Sequence, residues 1–237
     1  MGTSEFNALV QNSTRLQRAL ELVEKEFLSN AGHDISHLKR VAIWSAKILA
    51  EEKEISSLSD FQKISPELFD ATFCAAFFHD WVNLPKDSPD RKNASLLSSV
   101  KVKPILADLK FSSDLIESIS AAVRTHSFSR GEEPIDLIGR AVQDADRLEA
   151  LGAIGIMRVF QVGQSLGTEA FCPEDPWAKV RSLNDKKFCI DHFFVKLFKL
   201  PETMKTRAGK KEAIFRTKIL DEFLSSLGHE LGMPRSR

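Results

Sequence analysis

The sequence has few of the features that mark disulfide-stabilised, membrane-spanning or nucleic-acid-binding proteins. Its three cysteines form no CxxC pair and leave an odd count, which argues against a disulfide framework or a structural zinc knuckle. Lys and Arg together number 33, as do Asp and Glu, so no net charge attracts nucleic acid or an anionic membrane. The longest apolar run, residues 73–78, is too short to cross a bilayer, and the stretch MGTSEFNALVQNSTR lacks an apolar signal core. We therefore expect a cytoplasmic protein.

The spacing of the apolar residues predicts an all-α fold. Apolar side chains recur at intervals of three and four, and no run of period-two alternation is long enough for a strand. Asp34 is the expected N-cap of a helix that carries Val41 and Ile48 on its buried face. Ser65-Pro66-Glu67 is typical of a helix start, with a capping hydroxyl, a proline in the first turn and an acid near the positive end of the dipole.

A further helix is expected upstream, over about residues 14–28, and the remaining helices are expected downstream of Ser65. They lie around residues 92–108, from Ser112 or Ser113 to His126, over the segment 135–160, and near 184–200 and 209–230. No repeat, low-complexity tract or linker interrupts the chain. We therefore predict one compact helical bundle over residues 1–237, with a core of about 30–160 and a C-terminal helical extension of about 175–232.

Several metal-competent side chains fall at buried helical positions. His79 and Asp80 directly follow two phenylalanines in "FFHDW", and burying an unpaired imidazole or carboxylate costs several kcal/mol. His37 shares a face with Val41, and the aspartates 144 and 146 straddle a core alanine, so at least one of them faces inward. Each residue, taken singly, also fits a satisfied core histidine or a helix-capping acid. Three core helices that each aim such a group at the interior together predict a metal site.

The order of these residues resembles the H…HD…D pattern of the HD-domain superfamily of metal-dependent phosphohydrolases. The matching blocks are "GHDISHLKRV", "FFHDW", "LPKDSPDRKNAS", "RTHSFSRGEEP", "QDADRLEALGAIGIMRVF" and "DHFFVKLFKLPETMKTRAGKKEA", and the likeness covers about residues 20–230. The resemblance implies a helical HD-type domain with His37, His79, Asp80 and Asp146 as metal ligands. It favours Asp146 over Asp144, which then supports the site, and His37 over His33. Glu149 departs from the pattern, where an aspartate is expected.

The implied cofactor is one divalent transition metal. Two imidazoles argue against an all-oxygen site for Mg²⁺ or Ca²⁺, so Mn²⁺ is favoured and Fe²⁺, Co²⁺, Ni²⁺ and Zn²⁺ remain open. His126 is the only histidine between the HD pair and Asp146, and this favours a single ion over a dinuclear centre.

Three further residues are candidates for contacts with the substrate. Lys86 and Arg91 lie in the loop after the HD pair, where they are expected to bind phosphate, although a solvated loop is the alternative. His126 ends a helix and is expected to act together with Asp80 in catalysis, protonating a leaving oxygen or stabilising charge.

The function predicted from these residues and this resemblance is hydrolysis of a small phosphorylated substrate, most of all a nucleotide, by a water that the metal activates. Both a pyrophosphohydrolase and a phosphomonoesterase fit. Two alternatives stay open: a non-catalytic regulatory module that binds metal or nucleotide, and a hydrolase of a signalling nucleotide such as guanosine tetraphosphate. The absence of tyrosine disfavours a cyclic-dinucleotide phosphodiesterase with a Gly-Tyr-Pro element. A homodimer stays open, and no nucleic-acid or membrane partner is expected.

Overall fold

The computed structural model describes residues 3–27, 34–82, 84, 90–127 and 130–235. These residues contain eleven α-helices and no strand, and one isolated bridge between Glu169 and Phe188 is the nearest approach to a sheet. The all-α prediction is therefore confirmed. No helix within the described ranges is long and apolar enough to cross a membrane.

The helices of the described residues are numbered in chain order. In order they are α1 (Thr3–Gln11), α2 (Thr14–Glu26), α3 (Ile35–Glu52), α4 (Leu58–Ile64), α5 (Pro66–Phe78), α6 (Ala94–Asp108), α7 (Ser113–Thr125), α8 (Leu137–Leu148), α9 (Gly152–Ser165), α10 (Cys189–Val195) and α11 (Arg207–Glu230). Two 3-10 helices, Arg91–Asn93 and Leu197–Thr203, precede α6 and α11.

The two helix starts predicted from the sequence differ in how they are capped. Asp34 is the N-cap of α3, and its Oδ1 accepts the backbone N–H of His37 at 2.6 Å. Ser65 precedes α5 with Pro66 in the first turn, but its hydroxyl makes no capping hydrogen bond. The predicted capping role of Ser65 was therefore wrong, and the proline and the acid of the first turn remain the local signals for this start.

Residues 135–160, expected as one helical segment, form parts of two helices. The chain leaves α8 through a turn over residues 149–151 and restarts at Gly152, whose φ of +69° lies in the left-handed region that favours glycine. The apolar periodicity continues across this turn because both helices bury apolar side chains, so the pattern alone did not reveal the break.

The expected helix over 184–200 is also shorter than the periodicity suggested. It consists of α10 followed by the 3-10 helix Leu197–Thr203, which contains Pro201. Proline lacks the N–H that a continued α-helix requires, so the chain adopts a 3-10 helix in place of an α-helix there. The helices α1 and α4 were not predicted, since each is too short to show several periods of the apolar pattern.

The chain divides into two compact units, Met1–Asp146 and Arg147–Arg237. In the first unit α5 packs against α3 and α7, and a ladder of phenylalanines fills the core. The rings of Phe69 and Phe73 are stacked with centroids 4.6 Å apart, and the ring of Phe77 meets Phe73 edge-on at 5.8 Å. All three are completely buried, which fixes the direction of α5 and the place where it ends.

The second unit contains α9, α10 and α11. The ring of Phe223 on α11 lies 6.0 Å from Phe160 and 6.1 Å from Phe193, so aromatic contacts join the three helices. A buried carboxylate, Asp191, accepts two hydrogen bonds of 2.6 and 2.7 Å from the Arg181 guanidinium. The description of the whole chain as one domain with a C-terminal extension stays a prediction.

A buried carboxylate, Asp70, ties α5 to the start of α2. It accepts hydrogen bonds from the Ser13 hydroxyl at 2.8 Å and from Arg15 at 3.4 Å. Burial raises the pKa of the Asp70 carboxyl, and the bonds from Ser13 and Arg15 offset only part of that effect. Because its pKa is higher in the folded than in the unfolded state, Asp70 favours folding more in acid than at neutral pH.

We therefore expect Asp70→Asn to be at least as stable as the wild type at pH 7, because the amide oxygen still accepts from Ser13 and no charge is buried. Asp70→Ala should lower the free energy of unfolding by about 1–3 kcal/mol, since it leaves the Ser13 hydroxyl without an acceptor. Urea unfolding of both variants at pH 4 and pH 7 measures this. A clear loss of stability in Asp70→Asn at pH 7 would show that the ion pair with Arg15 is net stabilising.

Candidate metal centre

The carbonyl groups at two helix ends orient the imidazole rings of His79 and His126. His79 directly follows α5, and its Nδ1 donates a hydrogen bond to the carbonyl oxygen of Ala76 at 2.7 Å. His126 follows α7 in the same way, and its Nδ1 donates to the carbonyl of Val123 at 2.7 Å. Because a carbonyl only accepts, both rings carry the hydrogen on Nδ1. The Nε2 atom of each ring is left to face the neighbouring side chains.

Five polar side chains from four helix regions converge at this point. His37 Nε2 lies 3.3 Å from His79 Nε2 and 3.5 Å from Asp146 Oδ1. His79 Nε2 lies 3.4 Å from Asp80 Oδ2 and 3.7 Å from Asp146 Oδ1. Asp80 Oδ2 lies 3.9 Å from His37 Nε2, while its other oxygen lies 3.4 Å from His126 Nε2. The structure therefore brings together all four predicted ligands and the predicted catalytic histidine.

The two kinds of donor differ in their exposure. The side chains of His37 and His79 are essentially closed to solvent, at 1% and 0%. The side chains of Asp80 and Asp146 retain 19% and 24% exposure. The imidazoles therefore form the floor of the cluster, and the carboxylates lie on the side from which solvent or a ligand reaches it.

The carboxylates and imidazoles shift each other's ionisation. Burial acts to lower the pKa of His79, but the charges of Asp80 and Asp146 outweigh it and raise this pKa to about 9. Burial acts to raise the pKa of Asp146, but the three imidazoles nearby bring it below its ordinary value. Two carboxylates in a partly buried site thus favour positive charge between them, and a metal cation satisfies the same demand.

The donor set fits a single divalent transition metal. Ligand atoms at about 2.1 Å from an ion lie about 3.0 Å apart at adjacent octahedral corners and about 3.4 Å apart in a tetrahedron. Five of the six spacings among the two imidazole nitrogens and the nearer carboxylate oxygens run from 3.3 to 3.9 Å, at most about half an ångström above the tetrahedral value. These spacings and the mixed nitrogen and oxygen donors fit such a site.

The other residues considered from the sequence lie elsewhere or outside the described residues. Lys86, His33 and Phe128 are outside them, and for Arg91 only the backbone, in a 3-10 helix, is described. Asp144 is completely buried, and it is not among the described residues whose donor atoms lie close enough together to hold a metal. The choice between the two aspartates therefore has a geometric basis, because they project from α8 about 200° apart.

Sequence reasoning missed two side chains that support the cluster. Ser98 on α6 accepts the backbone N–H of Val82 at 2.8 Å and so anchors the chain just after Asp80. Gln143 on α8 donates to the carbonyl of Thr125, the residue before His126, at 2.6 Å. Both are uncharged residues within helices, and no local motif distinguishes them from ordinary helix residues.

Comparison with known proteins agrees with the geometry. The HD domain family model matches residues 34–151. The chain is 28% identical over 206 residues to uncharacterized protein YpgQ of Bacillus subtilis, covering 85% of this chain and 86% of that protein. It is 30% identical over 182 residues to uncharacterized protein L803 of Acanthamoeba polyphaga mimivirus, covering 71% and 70%.

Solved structures share the fold over nearly the whole chain. The crystal structure of Bacillus subtilis YpgQ in complex with ADP has a TM-score of 0.66 at 24% identity and covers 92% of this chain and 97% of its own. An HD-superfamily hydrolase from Bacillus thuringiensis has a TM-score of 0.65 at 25% identity, with coverage of 91% and 96%. The chain therefore belongs to the HD domain family, which binds divalent metals and includes hydrolases.

We expect purified protein to contain about one transition-metal ion per chain, and the double variant His79→Ala, Asp80→Ala to contain little or none. Removing one nitrogen and one oxygen donor leaves two of the four ligands, which are too few to retain the ion during purification. The matched control is His192→Ala, because His192 lies outside the cluster and contacts Asp185 at 3.0 Å. Metal content is measured by plasma mass spectrometry, with circular dichroism to confirm the fold. Equal metal content in all three proteins would remove this cluster as the metal site.

Proposed function

We propose that this protein is a metal-dependent phosphohydrolase that cleaves a small phosphorylated substrate, most of all a nucleotide. The observation that carries the proposal is the convergence of His37, His79, Asp80 and Asp146 with the His126 ring beside them. A divalent cation bound by the four ligands would supply a Lewis acid for a phosphoryl oxygen and lower the pKa of a bound water. Mn²⁺ is the first ion to test.

The side chains divide the remaining tasks between them. His37 and His79 are buried and held, so they fix the position of the site within the fold. Asp80 has a double role, because one oxygen faces the two imidazoles and the other faces His126 Nε2. Asp80 thereby links the His126 ring to the other side chains of the cluster. With Nδ1–H on the Val123 carbonyl, His126 can carry a second proton at Nε2 and deliver it to the leaving oxygen.

The substrate reaches the cluster from the side of the two carboxylates, because their side chains are the partly exposed ones. Phosphate is an anion, and two carboxylates repel it unless positive charge compensates them. A bound cation would meet part of that need, and Lys86 and Arg91, which follow Asp80 closely in the sequence, would meet the rest. Their contact with phosphate is part of the proposal.

The nucleotide assignment is supported by the related YpgQ, whose crystal structure contains ADP. A nucleoside di- or triphosphate carries its phosphates as a chain on the sugar, and hydrolysis at different bonds of that chain releases different products. Release of pyrophosphate would define a pyrophosphohydrolase, and release of orthophosphate a phosphatase.

The proposal is tested with a panel of nucleoside mono-, di- and triphosphates, guanosine tetraphosphate and sugar phosphates, each with Mn²⁺, Co²⁺ or Ni²⁺. We expect turnover of at least one nucleotide, and we expect Asp146→Asn to lower kcat/KM at least a hundredfold. Substituting a residue that only orients a metal ligand costs about 10- to 100-fold, and substituting a ligand itself should cost more. The control is Asp185→Asn, an aspartate outside the cluster. Metal binding without turnover of any compound would contradict an enzyme and favour a regulatory module.

The role of His126 makes a separate prediction. His126→Gln should lower kcat by about 10²–10⁴-fold, because the leaving oxygen then departs without a positioned proton donor. The bound metal should be retained, since the four ligands are unchanged. A substrate whose leaving group needs no proton, such as p-nitrophenyl phosphate, should lose much less activity. An equal loss with both substrates would rule out proton delivery by His126.

A further inference from the structure

Gln143 is a buried glutamine on α8, one helical turn before Asp146. Only 1% of the residue is exposed. Its Nε2 donates one hydrogen bond to the carbonyl of Thr125 at 2.6 Å and another to the carbonyl of Glu132 at 3.3 Å. Thr125 directly precedes His126, and Glu132 follows it by six residues. Both donated bonds therefore end on the backbone that brackets the catalytic histidine.

The bond to Thr125 meets a demand that α7 itself cannot meet. Thr125 is the last residue of α7, and the final carbonyls of a helix have no partner within the helix. The residue is completely buried, so water does not supply a donor either. The side chain of Gln143 provides one, and in doing so it joins the helix that ends at His126 to the helix that carries Asp146.

The oxygen of the Gln143 amide, in contrast to its nitrogen, lacks a partner in the described part of the chain. This atom, Oε1, is buried, and leaving a buried acceptor without a hydrogen bond costs free energy. An apolar side chain of the same length would avoid that cost. The two donated bonds are therefore what the glutamine contributes at this position.

Glu132, whose carbonyl accepts the second bond from Gln143, makes further contacts through its side chain. Its carboxylate lies 2.9 Å from Arg124 Nε on α7 and accepts from Arg130 Nε at 2.8 Å. Arg130 in turn contacts the carbonyl of Lys92 at 3.4 Å, just before α6. Gln143 thus contacts Thr125 at the end of α7, and it contacts Glu132, which these ion pairs hold in turn.

We propose that Gln143 is a positioning residue, which sets the separation of His126 from Asp146 by joining the end of α7 to α8. The inference rests on the proposed function, because it concerns the same cluster. It adds a residue that touches neither substrate nor metal and acts through the backbone of Thr125 and Glu132.

The test compares Gln143→Met with Gln62→Met. Gln62 is the matched control, since it is also buried and also donates from Nε2 to a backbone carbonyl, that of Leu9 at 2.8 Å. Its partners lie on α1 and just after it, outside the cluster. For each variant we would record thermal unfolding, the Co²⁺ dissociation constant and absorption spectrum, and ¹⁵N spectra of labelled histidine rings in metal-free protein, with His126 assigned from His126→Gln.

Both variants should unfold at a lower temperature than the wild type, as loss of a buried hydrogen bond requires. Only Gln143→Met should shift the His126 ring resonances, weaken Co²⁺ binding by about tenfold or more and alter its spectrum. Unchanged His126 resonances in Gln143→Met, or equal shifts in Gln62→Met, would overturn the inference. Failure of the wild type to bind Co²⁺ would instead overturn the proposed function, and the metal-free histidine spectra would still decide the role of Gln143.

Discussion

The cluster depends on hydrogen bonds from two histidine rings to carbonyl groups at the ends of their own helices. An α-helix leaves its last carbonyls unpaired, and a histidine placed just after the end can donate Nδ1–H to one of them. His79 does this with Ala76 and His126 with Val123. The same bond that completes the helix end turns Nε2 outward, so each helix stop also orients a functional atom.

The packing of the first unit determines where those two helix ends lie. The buried phenylalanines of α5 fix its axis against α3, and the N-cap at Asp34 starts α3 three residues before His37. The pair α6 and α7 brings His126 alongside, with Ser98 holding the chain after Asp80. Apolar packing therefore sets distances of 3.3–3.9 Å among five side chains that are far apart in sequence.

Much of this arrangement was accessible from the sequence. Histidines and aspartates at core positions are costly, so His37, His79 and one aspartate of the pair 144 and 146 were recognisable once their helices were assigned. The choice of Asp146 came from the resemblance to the HD family and not from the helical pattern. The break at Gly152 was not recognisable, because the apolar period continues through the turn. The left-handed backbone at this position shows in the sequence only as a glycine within an otherwise helical pattern. Gln143 and Ser98 were not found either. Their partners are backbone atoms of residues that lie 11 to 18 positions away in the sequence, and such contacts leave no trace in local spacing.

The fixed ring of His79 also bears on which ions the protein accepts. Because its Nδ1 is already committed to a carbonyl, the ligand His79 has a single tautomer and little freedom to rotate before an ion arrives. A coordination sphere that includes so fixed a ring would adapt little to a cation of another radius. Discrimination among metals would then come from the carboxylates, which can bind through one oxygen or through two. The imidazole ring would keep its position.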